Sequence, residues 1–499
     1  YLTRADAEPL PFARAVRPLL ASLGVALGLG ALAAACAWPL AWVLASSNRW
    51  RLLAPLLLTP PALPHTLAFT GWGVARSPDT LLGDVIVSAA HDGARWLPIL
   101  VGRALAVVGL SLWAAPLAAI VQATSTARTP HALIETARLA APPGPRRHAP
   151  LVRMHAPAIA ASIGLVAAVM LGSAVPLHLA QLPTSATVLW LELAETPAGQ
   201  RGRVWLMATP TLALAVLAAG VITQSLFKPA SSEDAPDADP PRTGPATGIA
   251  GVLIWALAVL IPAGLMAVTV RDWTVVGRFL SVHGEAVAHS AGVAACVGAS
   301  IAAIGALSGV CFSSNAPPVR IATAALLAVF LSAALIPGVL IGAAFASSAT
   351  AIPQIRETAI PIAAAHVARF GALGMLAGLI SESLEPPALR ALRRADGAVG
   401  LGPWCRAVLP RRWPLIAGAG VAAACLSLHE IEAAVMVQPP GPGNLAQLLL
   451  DALHFARQDV LAAGMLHLAG TSFVAALLAG AGVYFNTRAG NRSHAVGMR

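Results

Sequence analysis

An all-α, polytopic membrane protein is the fold class this sequence predicts, on three observations. Hydrophobic residues fill 57% of the 499 positions and charged residues only 11%, far from the balance of a soluble domain. Apolar runs recur along the whole chain at spanning length, roughly 20 residues, because a helix rises about 1.5 Å per residue through a hydrocarbon layer of about 30 Å. The arginines gather in the short stretches between those runs, where they determine topology. No basic domain stands apart from the runs, so the formal net charge of +10 points to no nucleic-acid partner.

Taken in order, the runs predict about eleven transmembrane helices. Five come first, at residues 19–45, 52–74, 97–123, 157–179 and 204–226, and the opening run is too long for the apolar core of a signal peptide. Six follow, at 249–268, 287–312, 321–346, 359–381, 415–435 and 461–485. Between the sets, residues 228–241 read KPASSEDAPDADPP, a polar, proline-rich linker with nothing to bury. The chain thus divides into a first unit at 1–226, a linker at 227–246, a second unit at 247–487 and a tail at 488–499.

Threading the spans places Arg49 and Arg51, Arg128 to Arg153, Arg320, Arg390 to Arg412 and Arg488 to Arg499 on one side, which is cytoplasmic by the positive-inside rule. Linker and tail fall on that side and Tyr1 on the other. Trp50, Trp96, Trp190, Trp205, Trp273 and Trp404 lie near span ends, where indole favours the membrane interface. The five cysteines form no CxxC pair and suit small apolar packing.

The two sets read as copies offset by one helix. Ser46-Ser47-Asn48 closes one span as Ser313-Ser314-Asn315 closes another, and Pro64 sits in the next run as Pro337 does in its counterpart. Parallel repeats joined on one side need an even number of spans each, so five spans imply a missing first helix, in accord with Tyr1 standing where an initiator methionine is absent.

The most specific motif is an Arg-rich loop, Ala391-Leu392-Arg393-Arg394-Ala395-Asp396-Gly397, followed after nine residues by Ala407-Val408-Leu409-Pro410. A short helix, a turn at Gly397 and a second short helix would make a rigid lever, with Ala391 and Ala395 letting the first helix seat closely in a groove. Leu409-Pro410 would then start a membrane helix, where proline loses no hydrogen bond. The pattern resembles the coupling loop of ABC importer permeases: Glu-Ala-Ala, three residues, Gly, nine residues, Ile, any residue, Leu-Pro. Ala391 stands at the glutamate, and Leu392 and Arg393 replace the alanines.

In the first half, Glu135-Thr136-Ala137-Arg138-Leu139-Ala140-Ala141 keeps the glutamate and one alanine but has Ala141 at the glycine. Taking Gly144 as the turn restores the spacing to Ala156-Pro157 and loses the glutamate, and both registers stand at this point. Pro142, Pro143 and Pro145 would disturb a regular helix there. The bland reading makes both loops ordinary Arg-rich cytoplasmic turns.

Residues 427–441, SLHEIEAAVMVQPPG, with Asn444-Leu445-Ala446, are similar to the LxELxxTxLLxPPGxxTLA stretch of ferric-iron importer permeases, which fuse two units in one chain; related fused permeases carry thiamine. The resemblance implies two tandem type I ABC permease units in the bacterial inner membrane, forming the pathway for a small solute, ferric iron first. A periplasmic binding protein would deliver the solute, and two cytoplasmic ABC ATPase subunits would supply force. It assigns ATPase coupling to Glu135, Ala137, Gly144, Pro157, Ala391, Arg394, Asp396, Gly397, Leu409 and Pro410. The chain would be no enzyme and bind no cofactor: it has no GxxxxGK[ST], and its single lysine, Lys228, lies in the linker, so ATP belongs to the partners.

Ionisable residues inside spans need a reason, since each costs about 2.5–3.5 kcal/mol at the bilayer centre on insertion scales. His429, Glu430 and Glu432 fall toward the outer end of their run, as a substrate path or as interfacial groups. His366 and Arg369 share one helical face, lining a cavity or forming a neutral imidazole beside a paired or snorkelling arginine. Arg103 and His467 read as helix-end or bundle-facing groups. No cluster has metal-ligand spacing, and no HExxH occurs. The rival reading is an ion-coupled secondary transporter with parallel repeats.

Overall fold

A computed structural model describes residues 11–46, 49–78, 80–139, 149–197, 201–227, 243–385, 387–396, 400–438 and 443–496. Among the described residues there are helices and turns but no strand, and eight helices are long and apolar enough to cross a membrane. The chain is an all-α, multi-pass membrane protein. The linker at 228–241, Gly144 and Gly397 lie outside the described residues.

The eight are Val16–Ala45, Leu97–Arg128, Gly202–Phe227, Pro245–Val268, Trp273–Phe312, Pro317–Leu335, Ile360–Ser383 and Gln458–Tyr484. Four of the runs expected to be continuous are broken. Residues 52–74 form the short pieces Arg49–Leu53, Ala54–Leu57 and Pro60–Ala62 before the helix His65–Val74, because Pro55, Pro60, Pro61 and Pro64 remove amide donors and clash with the preceding turn. Pro337 divides Pro317–Leu335 from Gly338–Thr350 in the same way. The run at 157–179 splits into Ala156–Leu171 and Val175–Leu179, and that at 415–435 into Leu409–Leu428 and Glu432–Val437. The breaks therefore fall at matching places in the two halves of the chain.

Two further helices exceed their expected bounds. Trp273–Phe312 begins well before residue 287, capped by the Asp272 carboxylate on the Thr274 amide at 2.9 Å, and carries a kink at His283. The last helix runs through Val496, past the expected end at 485.

Small residues let the long helices meet backbone to backbone. A Cβ placed on Gly298 would lie 2.8 Å from the Gly420 carbonyl oxygen, and one on Gly420 would lie 2.7 Å from that of Gly298. The matching serines behave alike: Ser46 Oγ donates to the Val43 carbonyl at 2.8 Å and Ser313 Oγ to that of Val310 at 2.7 Å.

The halves interleave. Pro245–Val268, which follows the linker, seats against the first half: Trp255 Nε1 donates to Thr59 Oγ1 at 3.1 Å, and Pro262 packs on Gly71. Gly202–Phe227, which precedes the linker, packs through Ala215 and Ala219 against Phe312, Leu327 and Leu331 of the second half. One expected interface anchor is misplaced. Trp404 is fully buried, its ring filling the slot left by Gly309.

Candidate functional site: paired short helices and a buried charged cluster

At one end of the bundle, each half carries two short helices that lead directly into a long one. In the second half these are Pro387–Ala395, Leu401–Ala407 and Leu409–Leu428; in the first, His131–Leu139, Ala149–Met154 and Ala156–Leu171. Pro410 and Pro157 are each the second residue of their long helix, as expected, and both are exposed. Glu135 and Ala391 each stand four residues after the start of their first helix, so the glutamate register aligns these helices. The first helix starts 25 residues before Ala156 in one half and 22 before Leu409 in the other. From the start of the first short helix to the start of the long helix, the first half is thus three residues longer. Gly144 and Gly397 lie outside the described residues, while Gly400 takes φ +102°, a left-handed angle that suits glycine, just before Leu401–Ala407.

Apolar plugs fasten the first pair, and the second short helix of the other pair, to their own halves. Ile134 and Leu151 are buried under Trp42, with Trp38, Ala137 and Met154 around them. Trp404, Val408 and Ile416 form the counterpart, joined by Cys405 and Leu409. His155, also buried, is placed by Ser125 Oγ at 3.0 Å from its Nδ1 and by the edges of Trp38 and Trp42.

Charge fixes the second pair further. Arg393 makes a two-pronged contact with Glu385, Nε to Oε1 at 3.0 Å and Nη2 to Oε2 at 2.8 Å, and this hydrogen-bonded pairing raises the guanidinium pKa above its ordinary value. Arg390 reaches Glu382 at 3.0 Å, and Arg412 Nη2 donates to the Leu384 carbonyl at 2.7 Å. Ala391 and Asp396 stay exposed, Glu135 is half-buried, and Arg394 belongs to the Pro387–Ala395 helix. Glu382 and Glu385 were missed in the sequence, although two acids preceding a Pro-Pro step and a run of arginines are a legible sign of this brace.

The second site lies at the breaks. Glu430 and Glu432 are buried, 5% and 2% exposed, rather than interfacial, and Arg369 links them: Nε to Glu430 Oε2 at 3.2 Å and Nη2 to Glu432 Oε2 at 3.5 Å. Glu432 also accepts amide hydrogens from both halves. Oε1 takes those of Ala174 and Val175, the latter at 3.0 Å, and Oε2 takes that of Gly338 at 3.2 Å. Glu430 Oε1 accepts from the Ala433 amide at 3.0 Å. Gly338 is required here because a Cβ would strike the Arg369 guanidinium.

Four imidazoles surround this cluster. His366 Nδ1 lies 2.7 Å from Ser427 Oγ, and the rings of His429 and His65 sit 6.0 Å apart. The Nε2 atoms of His65, His289, His366 and His429 have no hydrogen-bond partner among the described residues. His289, His366, Glu430 and Asn444 line a small internal cavity of about 10 Å³, room for a water molecule. Among the described residues no group of three or more His, Cys, Asp or Glu is arranged to hold a metal ion. Arg103 donates to the Gln181 carbonyl at 2.9 Å, and His467 stacks on Phe279 at 5.4 Å.

No protein family, curated protein or solved structure matches this chain.

Proposed function

We propose that this chain is the membrane permease of an ATP-binding-cassette importer in the bacterial inner membrane. On this reading its eleven spans, broken ones included, form two tandem type I units around one pathway. A periplasmic binding protein delivers the cargo, ferric iron before thiamine or another small solute, and two cytoplasmic ATPase subunits grip the paired short helices.

The supporting observation is the recurrence of those pairs at one end of the bundle, each continuous with a long helix that ends at a break in the buried cluster. Leu409–Leu428 has 20 residues and so spans about 30 Å. It begins where Trp404 is plugged and ends at His429, beside Glu430. A push on the short helices is thus delivered, through a helix of that length, to Glu430 and to Glu432, the carboxylate that binds the halves together. Opening a path along that seam must free the Ala174 and Val175 amides of the first half from Glu432 of the second.

Co-purification tests the reading. Ala391 is exposed on the proposed grip, so Ala391→Trp should leave folding unchanged yet strip a co-expressed P-loop ATPase from the purified protein. Retention of the ATPase at wild-type stoichiometry overturns the assignment of that helix as the grip.

The buried Arg369–Glu430–Glu432 group favours one second reading, an ion-coupled transporter, in which such groups carry the coupling ion. Uptake that follows the proton gradient with no ATPase present selects it.

A further inference from the structure

The end of the bundle opposite the paired short helices holds a cavity of about 850 Å³ that the import reading does not use. Its walls come from His65–Val74 and the hairpin that joins it to Leu97–Arg128, from the ends of Pro245–Val268 and Leu445–His454, and from the start of Gln458–Val496. The lining is mostly apolar, with Ile86, Val87, Met266 and Leu461 among it, and its ionisable side chains are Arg76, Arg95 and His91. Among the described residues no carboxylate lines it.

The hairpin is built rather than loose. Gly83 sits so close to the Ser77 carbonyl that no Cβ fits, and Thr80 Oγ1 accepts from the Gly83 amide at 3.0 Å while lying 2.8 Å from that same carbonyl. Gly102 is bare beneath the Arg76 guanidinium, where a Cβ would lie 2.5 Å from Nη1, and Nη1 donates to the Pro98 carbonyl at 3.3 Å. Arginine carries five N–H donors, so this anchoring leaves Arg76 with donors to offer a ligand.

The level in the membrane is marked as well. Trp96 and Trp273, both exposed, start the helices on either side of this end, where indole rings favour the headgroup region. Leu81 and Val85 on the hairpin helix and Ile99 and Leu100 beyond it are exposed and apolar, as a surface facing acyl chains would be.

We infer that this cavity binds a phospholipid with an anionic headgroup, its phosphate held by Arg76 and Arg95 and its acyl chains lying on the apolar wall. Charge complementarity selects that occupant. A mostly apolar chamber lined by two guanidiniums and, among the described residues, by no carboxylate suits a molecule that is anionic at one end and hydrocarbon at the other, and arginine pairs phosphate in a two-pronged way. The inference stands on the membrane fold alone and does not depend on the import reading.

The test is native mass spectrometry of the full chain in detergent, titrated with phosphatidylglycerol, with phosphatidylcholine of the same acyl chains, and with inorganic phosphate. Wild type should hold phosphatidylglycerol in preference to phosphatidylcholine, and free phosphate should not displace it. Arg76→Gln and Arg95→Gln should each weaken that binding by about tenfold, the size of a lost charge-assisted hydrogen bond. Arg320→Gln, an exposed position at the opposite end, should not. Arg95 is exposed and in a turn, so its variant keeps the test sound should Arg76→Gln destabilise the hairpin. Equal binding of the two lipids, wild-type affinity in the double variant, or displacement by free phosphate each overturns the inference.

Discussion

Arg369 pairs with two buried carboxylates at once. Its guanidinium lies between two buried carboxylates, and removing it leaves both without their counterion. Arg369→Met is therefore expected to lower stability by about 3–5 kcal/mol, the range for breaking a buried ion pair. Adding Glu430→Gln and Glu432→Gln should recover much of the loss, because the uncompensated charge goes with them. Thermal unfolding of the three proteins in detergent checks this, and a triple variant weaker than Arg369→Met alone refutes the account. Gly338→Ala should act on the same group by driving a methyl into the guanidinium. A loss of about 1–3 kcal/mol is expected, the usual size for overpacking. The sequence showed that His366 and Arg369 share a face and that His429, Glu430 and Glu432 cluster. It did not show that Glu432 reaches amides at Ala174, Val175 and Gly338, because those partners are 258, 257 and 94 positions away.

Among the elements, the paired short helices show how far a local pattern carries. Leu409 and Pro410 were legible as a helix start because spacing is a local property. The choice of register in the first half was not legible. Ala141 and Gly144 lie outside the described residues, and the start points of His131–Leu139 and Ala156–Leu171 show only that this stretch is three residues longer than its counterpart. The brace below the second pair gives a prediction at this scale. Glu385→Ala should release Pro387–Ala395, since it removes both prongs from an Arg393 that is 8% exposed. Hydrogen exchange should then quicken in that helix while Leu409–Leu428, plugged separately by Trp404, keeps its protection. Equal exchange in wild type and variant would show that the brace carries no stability.

For the whole molecule, the interleaving of helices flanking the linker matters most. Pro245–Val268 packs on the first half and Gly202–Phe227 on the second, so the halves are joined by buried surface as well as by the peptide chain. A protease site inserted in residues 228–241 and cut after purification should leave two fragments that migrate together in size exclusion. Separation of the fragments in mild detergent would contradict this packing. Weakening the seat should make the cut protein fall apart: Gly71→Leu pushes a side chain into Pro262, where even a Cβ would lie 2.6 Å from the ring.

Composition and spacing by themselves determined that the chain is helical, lives in lipid and crosses it many times, because apolar length and charge placement are set residue by residue along the chain. They also located the prolines that break His65–Val74 and Gly338–Thr350 from what precedes them. Only the tertiary structure decided that two of the other runs stop at Gly172 and His429, that Trp404 is a plug rather than an interface anchor, and that Glu432 joins the halves. The physical reason is that a carboxylate buried in an apolar bundle persists only where amides and a guanidinium converge on it, and that convergence is made by helices far apart in sequence.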